Sequence, residues 1–291
     1  MRPDQPDPCR IGAHGLQAKG EMSTARSADH PAAETAVTQD RLLGGRVLLR
    51  QPRDGYRAAI DPVLLAAAVD VRRGGLVLDA GLGAGAAALC LLARRPDVRV
   101  IGIEADAAAA ALARENAAAN GVADRLEVRC ATLATGRRDM AAEGLAADAV
   151  MTNPPFLAPG AADPSPHPGR RRANVESADL DAWIADCARM LKAKGALTLV
   201  HRADRLDDAV VALRHAGLGE VAVLPLWPKP GVPARRVLLR ARKGVAGAAR
   251  LLPGLTLHAP GGGYTAETEA VLRDAASIGW KGSTSPPEAP N

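Results

Sequence analysis

An apolar run that leads into a glycine-rich turn and then an alanine-rich helix constrains the fold of this chain more than any other feature. The run covers 76–79, the turn carries Gly81, Gly83 and Gly85, and the helical pattern covers 86–94. Glycine lets the backbone bend sharply and approach a ligand closely. A strand, a glycine turn and a helix in this order are typical of a nucleotide-binding βα unit. The chain is therefore predicted to build a parallel α/β sheet covered by helices.

A second strand pattern, 98–104, ends in Glu104, 25 residues after the acid that ends the first run. A carboxylate at that place can accept hydrogen bonds from both hydroxyl groups of a ribose. Two further βα units fit between Gly83 and Asn153, so both turns are expected at the same carboxyl edge of the sheet. The last long strand pattern, 235–243, is predicted to be antiparallel.

Four unusual residues follow the apolar run 149–152, namely Asn153, Pro154, Pro155 and Phe156. The side-chain oxygen of Asn153 and the carbonyl of Pro154 can accept hydrogen bonds from an NH2 group. Two consecutive prolines hold these acceptors in place, and Phe156 offers a flat apolar face for a planar group. The alternative interpretation is a strand-ending turn whose aromatic side chain fills the core.

The chain is basic, with a net charge of +5 and 31 of its 37 basic residues being arginine. Arginine suits phosphate contacts, so nucleic acid is a plausible partner. Arg170, Arg171 and Arg172 lie in a loop rich in proline and glycine after the asparagine turn, and Arg235 and Arg236 begin the last long strand. Phosphate contacts are predicted at both places, and a solvated run of charge is the alternative.

Several classes of function are not expected from the composition. The chain contains no run of about 20 apolar residues, so no membrane span is predicted. The four cysteines and six histidines lack metal-ligand spacing, and no nucleophile arrangement is recognisable. We expect a disordered extension over 1–40, one domain over 41–280 and a disordered tail over 281–291. Since 1–40 has no signal-peptide pattern, a cytoplasmic protein is expected, as a monomer or weak homodimer.

Two further positions have competing interpretations. Asp61 is followed by proline, a pattern that predicts the N-cap of a helix. The alternative is a polar contact beside a ligand, because that helix precedes the strand that leads into the glycine turn. Trp183 falls on the apolar face of a later helical pattern, which predicts a core residue.

The segment 79–85, Glu104 and the turn 153–156 together resemble the S-adenosylmethionine-dependent methyltransferases that act on amino groups. The resemblance is closer to one branch, the bacterial tRNA1(Val) adenine-N6 methyltransferases, which have counterparts of 55–65, 235–239 and 262–267. It covers roughly residues 40 to 275. It implies a three-layer Rossmann-like class I methyltransferase fold, an α/β sheet of seven strands with the last one antiparallel.

The resemblance also implies roles for individual residues. The glycines would pass under the methionyl and ribose parts of S-adenosylmethionine, with Asp79 near its ammonium group and Glu104 on the ribose. The family often places an acid where this chain has Thr132. The turn from Asn153 to Phe156 would hold the target amine, an adenine in tRNA. The predicted cofactor contacts are Asp61, Asp79, Gly81, Gly83, Gly85, Glu104 and Thr132.

Other functions stay open at this point. The same asparagine turn serves methyltransferases that act on guanine N2 in rRNA and on glutamine N5 in proteins. Gly81-x-Gly83-x-x-Ala86 also satisfies the dinucleotide fingerprint, so a nicotinamide-dependent oxidoreductase is the alternative from another class. A catalytically silent RNA-binding relative is a further possibility.

Overall fold

The computed structural model describes residues 37–53, 59–154, 180–280 and 284–285. The first elements form an antiparallel hairpin of β1 (Val37–Leu42) and β2 (Val47–Pro52), joined by a 3-10 turn at Leu43–Gly45. The first strand therefore includes four residues, 37–40, of the segment 1–40 that was predicted as a disordered extension.

Helices and parallel strands then alternate as the apolar patterns predict. These elements are α1 (Asp61–Ala68), β3 (Leu76–Ala80), α2 (Ala86–Arg94), β4 (Arg99–Glu104), α3 (Ala107–Ala119), β5 (Leu126–Cys130), α4 (Leu133–Ala142) and β6 (Ala147–Thr152).

Longer strands and short edge strands follow in the second half. These elements are α5 (Leu180–Arg189), β7 (Leu191–Arg202), a 3-10 turn (Ala203–Arg205), α6 (Leu206–His215), β8 (Leu218–Trp227), β9 (Arg236–Lys243), β10 (Arg250–Leu251), β11 (Leu255–Thr256), α7 (Ala266–Arg273), β12 (Ser277–Ile278) and β13 (Thr284–Ser285). The pairing of β12 with β13 lies partly inside the predicted tail 281–291.

The main sheet has the strand order β10-β8-β9-β7-β6-β3-β4-β5, and β11 also pairs with β8. β9 runs antiparallel to both of its neighbours, β7 and β8, while the other pairings in this sheet are parallel. Seven long strands with one antiparallel member confirm the predicted Rossmann-like sheet. The two-residue strands β10 and β11 extend it to nine.

Two apolar cores cover the two faces of this sheet. Val77 belongs to one core and the next residue, Leu78, to the other, and both are fully buried. Successive residues of a strand point to opposite faces, so a strand buried on both sides reads as a continuous apolar run. Trp280 joins the first core and donates from its indole nitrogen to the carbonyl of Ala68 at 2.8 Å. In the described part of the chain, no helix has the length and apolarity to cross a membrane.

Candidate active site at the carboxyl edge of the sheet

The glycine turn and the asparagine turn leave the sheet side by side. β3 and β6 are neighbouring parallel strands, and Ala80 pairs with Thr152 in register. Gly81 and Asn153 are the next residues of the two strands, so both turns begin at the same level of the carboxyl edge. Neighbouring strands lie about 5 Å apart. The structure therefore brings together the two segments that the sequence marked as functional.

The glycine turn has a backbone that only glycine adopts readily. Gly81, Gly83 and Gly85 have φ values of 80°, 57° and 91°, all in the left-handed region. A Cβ atom built at Gly83 would meet nothing within 4 Å, so this part of the turn faces open space. The amides of Gly81 and Leu82 both donate to the carbonyl of Ile103 at 3.0 Å, which ties the turn to β4.

Glu104, the last residue of β4, contacts the glycine turn directly. One carboxylate oxygen accepts from the Gly83 amide at 2.7 Å and the other accepts from the Asp106 amide at 2.9 Å. Asp106 in turn caps α3 by accepting from the amides of Ala108 and Ala109. The predicted ribose-binding carboxylate thus lies at the predicted cofactor turn.

Asp79 is a buried acid beneath this turn. Its side chain is 3% exposed, and within the described residues its Oδ2 atom has no hydrogen-bond partner. Burial, and then the nearby charge of Glu104, raise the pKa of Asp79 from its ordinary value of 3.8 to about 7, against a smaller lowering by the Ala88 amide. An unsatisfied buried carboxylate oxygen beside an open glycine turn is suited to a cationic ligand group.

Thr152 fixes the strand end from which the asparagine turn starts. Its hydroxyl donates to the carbonyl of Ala80 at 2.7 Å and accepts from the indole nitrogen of Trp183 at 3.0 Å. Asn153 is half-buried and Pro154 is buried. Pro155 and Phe156, together with the arginines at 170–172, lie outside the described residues.

The N-cap prediction for Asp61 is wrong. α1 begins at Asp61 itself, Ile60 holds the N-cap position, and no side chain caps the helix. Asp61 instead accepts a hydrogen bond from Nε of Arg236 at 3.2 Å. Arg236 pairs with Arg202, the last residue of β7, so this ion pair also lies at the carboxyl edge. Arg235 beside it is exposed.

Thr132 follows β5 at the same edge and serves as the N-cap of α4. Its hydroxyl accepts from the Thr135 amide at 3.2 Å. A contact between Thr132 and the cofactor stays a prediction.

Trp183 packs against the second apolar core, as its position on a helix predicted, but it also borders the glycine turn, which was not predicted. It is half-buried, whereas Ile184 and Cys187 on the same helix are fully buried. A Cβ atom on Gly81 would lie 3.0 Å and 3.1 Å from its Cζ2 and Cη2 atoms. Helical spacing identifies the face of a helix but not what faces it, so the sequence could not place this ring against the glycine turn.

Asn116 of α3 and Asn120, the C-cap residue of that helix, also support the site, and their contacts were missed. Asn120 accepts from and donates to the backbone of Leu48, at 2.8 Å and 2.7 Å. Asn116 makes the same pair with Arg50 at 2.9 Å and 2.8 Å, and donates to the carbonyl of Ala84 at 2.9 Å. Their spacing of four residues, which puts both carboxamides on one helix face, is the signal that could have found them.

Comparisons with known proteins agree with this geometry. The family model described as "Methyltransferase small domain" matches residues 59–215. A tRNA1(Val) (adenine(37)-N6)-methyltransferase of Aeromonas hydrophila is 32% identical over 196 residues, which are 66% of this chain and 79% of that protein. A protein of the same name from Porphyromonas gingivalis is 34% identical over 182 residues, 58% of this chain and 69% of its own length.

Among solved structures, a predicted O-methyltransferase of Agrobacterium tumefaciens matches with a TM-score of 0.59 at 24% identity. The match covers 72% of this chain and 94% of that one. At this level of identity the likeness shows the fold alone.

Proposed function

Because this chain belongs to the methyltransferase small domain family and to the tRNA1(Val) (adenine-N6)-methyltransferases, we propose that it methylates the exocyclic N6 amine of an adenine in tRNA, at a position like adenine 37 of tRNA1(Val). The observation that carries the proposal is the register of β3 and β6. The pairing of Ala80 with Thr152 starts the asparagine turn beside the glycine turn, where amine acceptors and methyl donor must meet.

The residues of the glycine turn fit S-adenosylmethionine as the cofactor. The unsatisfied Oδ2 atom of Asp79 would accept from its ammonium group, and the open side of Gly83 leaves room for its ribose. Glu104 would bind the ribose hydroxyls, which replace the amide of Gly83 as its donors. Gly81, Gly85, Asp61 and Thr132 are proposed as further contacts. When bound, this cofactor supplies an electrophilic methyl group attached to a sulfonium.

Asn153 and Pro154 would activate the target amine. The lone pair of adenine N6 is delocalised into the ring, so the amine is a poor nucleophile. If the Asn153 carboxamide oxygen and the Pro154 carbonyl accept its two protons, they favour a pyramidal nitrogen and spread the positive charge that develops there. Pro155 would stiffen the turn and Phe156 would stack on the base, which supplies the proximity contribution.

Arginines at the same edge are proposed to contact RNA phosphates. Arg235 is exposed, and Arg236 forms an ion pair with Asp61 at this edge. The arginines at 170–172 are also proposed to contact phosphates. The target base must leave its stack to reach Asn153, and an anticodon-loop adenine makes that inexpensive. We further propose that the protein acts without a metal ion, in the cytoplasm, as a monomer or weak homodimer.

The alternatives receive no support from the comparisons. No relative reported above carries the name of a guanine-N2 methyltransferase, a glutamine-N5 methyltransferase or a nicotinamide-dependent oxidoreductase. The asparagine turn beside the glycine turn would also have no role in hydride transfer.

A test uses two transcripts of tRNA1(Val), one with adenine and one with guanine at position 37. Each is incubated with the purified protein and S-adenosylmethionine, and then digested to nucleosides for mass analysis. We expect N6-methyladenosine from the adenine transcript and no product from the guanine transcript. Equal methylation of both transcripts, or a methyl group found only on guanine or on protein, would overturn the proposal.

A further inference from the structure

The indole ring of Trp183 borders the glycine turn and donates to the residue that precedes the asparagine turn. Its Cζ2 and Cη2 atoms abut Gly81, where a Cβ atom would come within 3.0 Å and 3.1 Å of them. Real Cβ atoms rarely approach other heavy atoms so closely, so the absence of a side chain at Gly81 leaves room for the ring. The side chain therefore borders the first residue of the glycine turn.

The polar edge of the same ring contacts the end of β6, directly before Asn153. The Trp183 indole nitrogen donates to Thr152 Oγ1 at 3.0 Å, and the Thr152 hydroxyl donates onward to the carbonyl of Ala80 at 2.7 Å. Thr152 is fully buried and directly precedes Asn153. A hydroxyl has one proton, so its donation to Ala80 leaves its lone pairs available for the indole. The three groups form one chain that links α5, β6 and β3.

The other two tryptophans make comparable hydrogen bonds to backbone carbonyls elsewhere in the fold. Trp227 donates to the carbonyl of Pro253 at 2.9 Å, and Trp280 donates to the carbonyl of Ala68 at 2.8 Å. Trp183 alone among the three both donates to a residue adjoining Asn153 and borders Gly81. A buried tryptophan usually donates to some partner, so Trp183 is distinguished by the place of its partner and not by the hydrogen bond itself.

We propose that Trp183 is a positioning residue, which fixes the orientation of Asn153 through Thr152 and forms the wall of the cofactor site at Gly81. The turnover part of this inference rests on the proposed methyl transfer, while the wall at Gly81 rests on cofactor binding alone. A small displacement of an acceptor that must meet a developing charge lowers turnover strongly. Loss of the hydrogen bonds between Trp183, Thr152 and Ala80 is therefore expected to lower turnover more than cofactor affinity.

The test compares four variants after circular dichroism has confirmed that they fold. Trp183→Phe keeps a ring but removes the donor, and Thr152→Val removes the acceptor. Thr152→Ser restores the hydroxyl, and Trp227→Phe is the matched control for losing an indole hydrogen bond elsewhere. For each, kcat with tRNA is measured, together with tryptophan fluorescence during titration with S-adenosylhomocysteine.

We expect Trp183→Phe and Thr152→Val to lower kcat by roughly tenfold, with S-adenosylhomocysteine affinity kept within about threefold. Thr152→Ser should recover most of the turnover. The fluorescence change on titration should disappear in Trp183→Phe and persist in Trp227→Phe, since only Trp183 borders the glycine turn.

An unchanged kcat in Trp183→Phe would overturn the orienting role, as would equal losses of affinity and turnover in Thr152→Val. A fluorescence change that persists in Trp183→Phe would overturn the placement of the ring at the cofactor site. If the wild-type protein fails to methylate tRNA, the proposed function is wrong, yet the titration still decides whether Trp183 borders the bound cofactor.

Discussion

The carboxylate of Glu104 accepts a hydrogen bond from the backbone amide of Gly83 at 2.7 Å, across the gap between β4 and the turn after β3. Its second oxygen holds the amide of Asp106 at 2.9 Å. The acid proposed to bind ribose therefore also shapes the turn over which the cofactor would lie. This double role links the conformation of the turn to the binding of the ligand.

Glu104→Ala is expected to weaken S-adenosylhomocysteine binding by roughly a hundredfold, because the charge-assisted hydrogen bonds to the ribose hydroxyls are lost. Isothermal titration calorimetry measures this effect. Glu127→Ala is the matched control, since Glu127 is an exposed acid on the next strand and pairs with Arg129. Wild-type affinity in Glu104→Ala would contradict the assigned role.

The affinity for S-adenosylhomocysteine is expected to rise with pH through about 7, the raised pKa of Asp79 in the ligand-free protein. A ligand ammonium next to Asp79 favours the ionised carboxylate, so binding below this pH must release a proton. Titrations in buffers of different ionisation enthalpy count that proton. Asp79→Asn should bind weakly with a flatter pH profile. Proton release that is unchanged in this variant would argue against Asp79.

Asp79 also makes the stability of the folded protein depend on pH. Its folded pKa of about 7 exceeds its ordinary value of 3.8, so the folded state holds this proton more tightly than the unfolded state. The folded protein therefore loses stability as the pH rises from about 4 through about 7. Asp79→Asn should remove up to roughly 4 kcal/mol of this penalty at pH 8.

Urea unfolding of both proteins at several pH values measures the difference. Asp124→Asn, at an exposed acid, is the control and should follow the wild-type profile. Equal stability of Asp79→Asn and wild type at pH 8 would show that the buried carboxylate carries no such cost.

Asn116→Ala is expected to destabilise the protein by about 3 kcal/mol, because the backbone groups of Arg50 and Ala84 lose their partner in a buried place. The control is Glu115→Ala on the same helix, where loss of an exposed ion pair should cost about 0.5 kcal/mol. Chemical unfolding compares the two. A similar cost for both variants would mean that Asn116 does not join the hairpin to the glycine turn.

Local patterns of apolar residues predict the sheet and the position of the two turns at one edge of it. Apolar runs buried on both faces mark β3, β4 and β6 without reference to distant residues. Since right-handed crossovers keep such strands parallel, the turns after Ala80 and Thr152 must share an edge. A strand as short as β10 carries too few residues for any period to be visible, and it could not be predicted.

The contacts between distant side chains could not be predicted from the sequence. Asp61 before a proline has the local pattern of a helix cap, yet its partner Arg236 lies 175 residues further along the chain. The ring of Trp183 was assigned to the core because periodicity reports which helix face is apolar, and the neighbouring Ile184 and Cys187 are indeed buried. Contacts of this kind depend on how distant elements pack.

Asn153→Ala removes the carboxamide oxygen that is proposed to accept a proton of the target amine. Single-turnover methylation of tRNA gives the rate, and calorimetry with S-adenosylhomocysteine gives the affinity on the same preparation. We predict that the rate falls by about two to three powers of ten while the affinity stays within about threefold. An unchanged rate, or a loss of affinity equal to the loss of rate, would contradict the proposal that the Asn153 oxygen accepts a proton of the target amine.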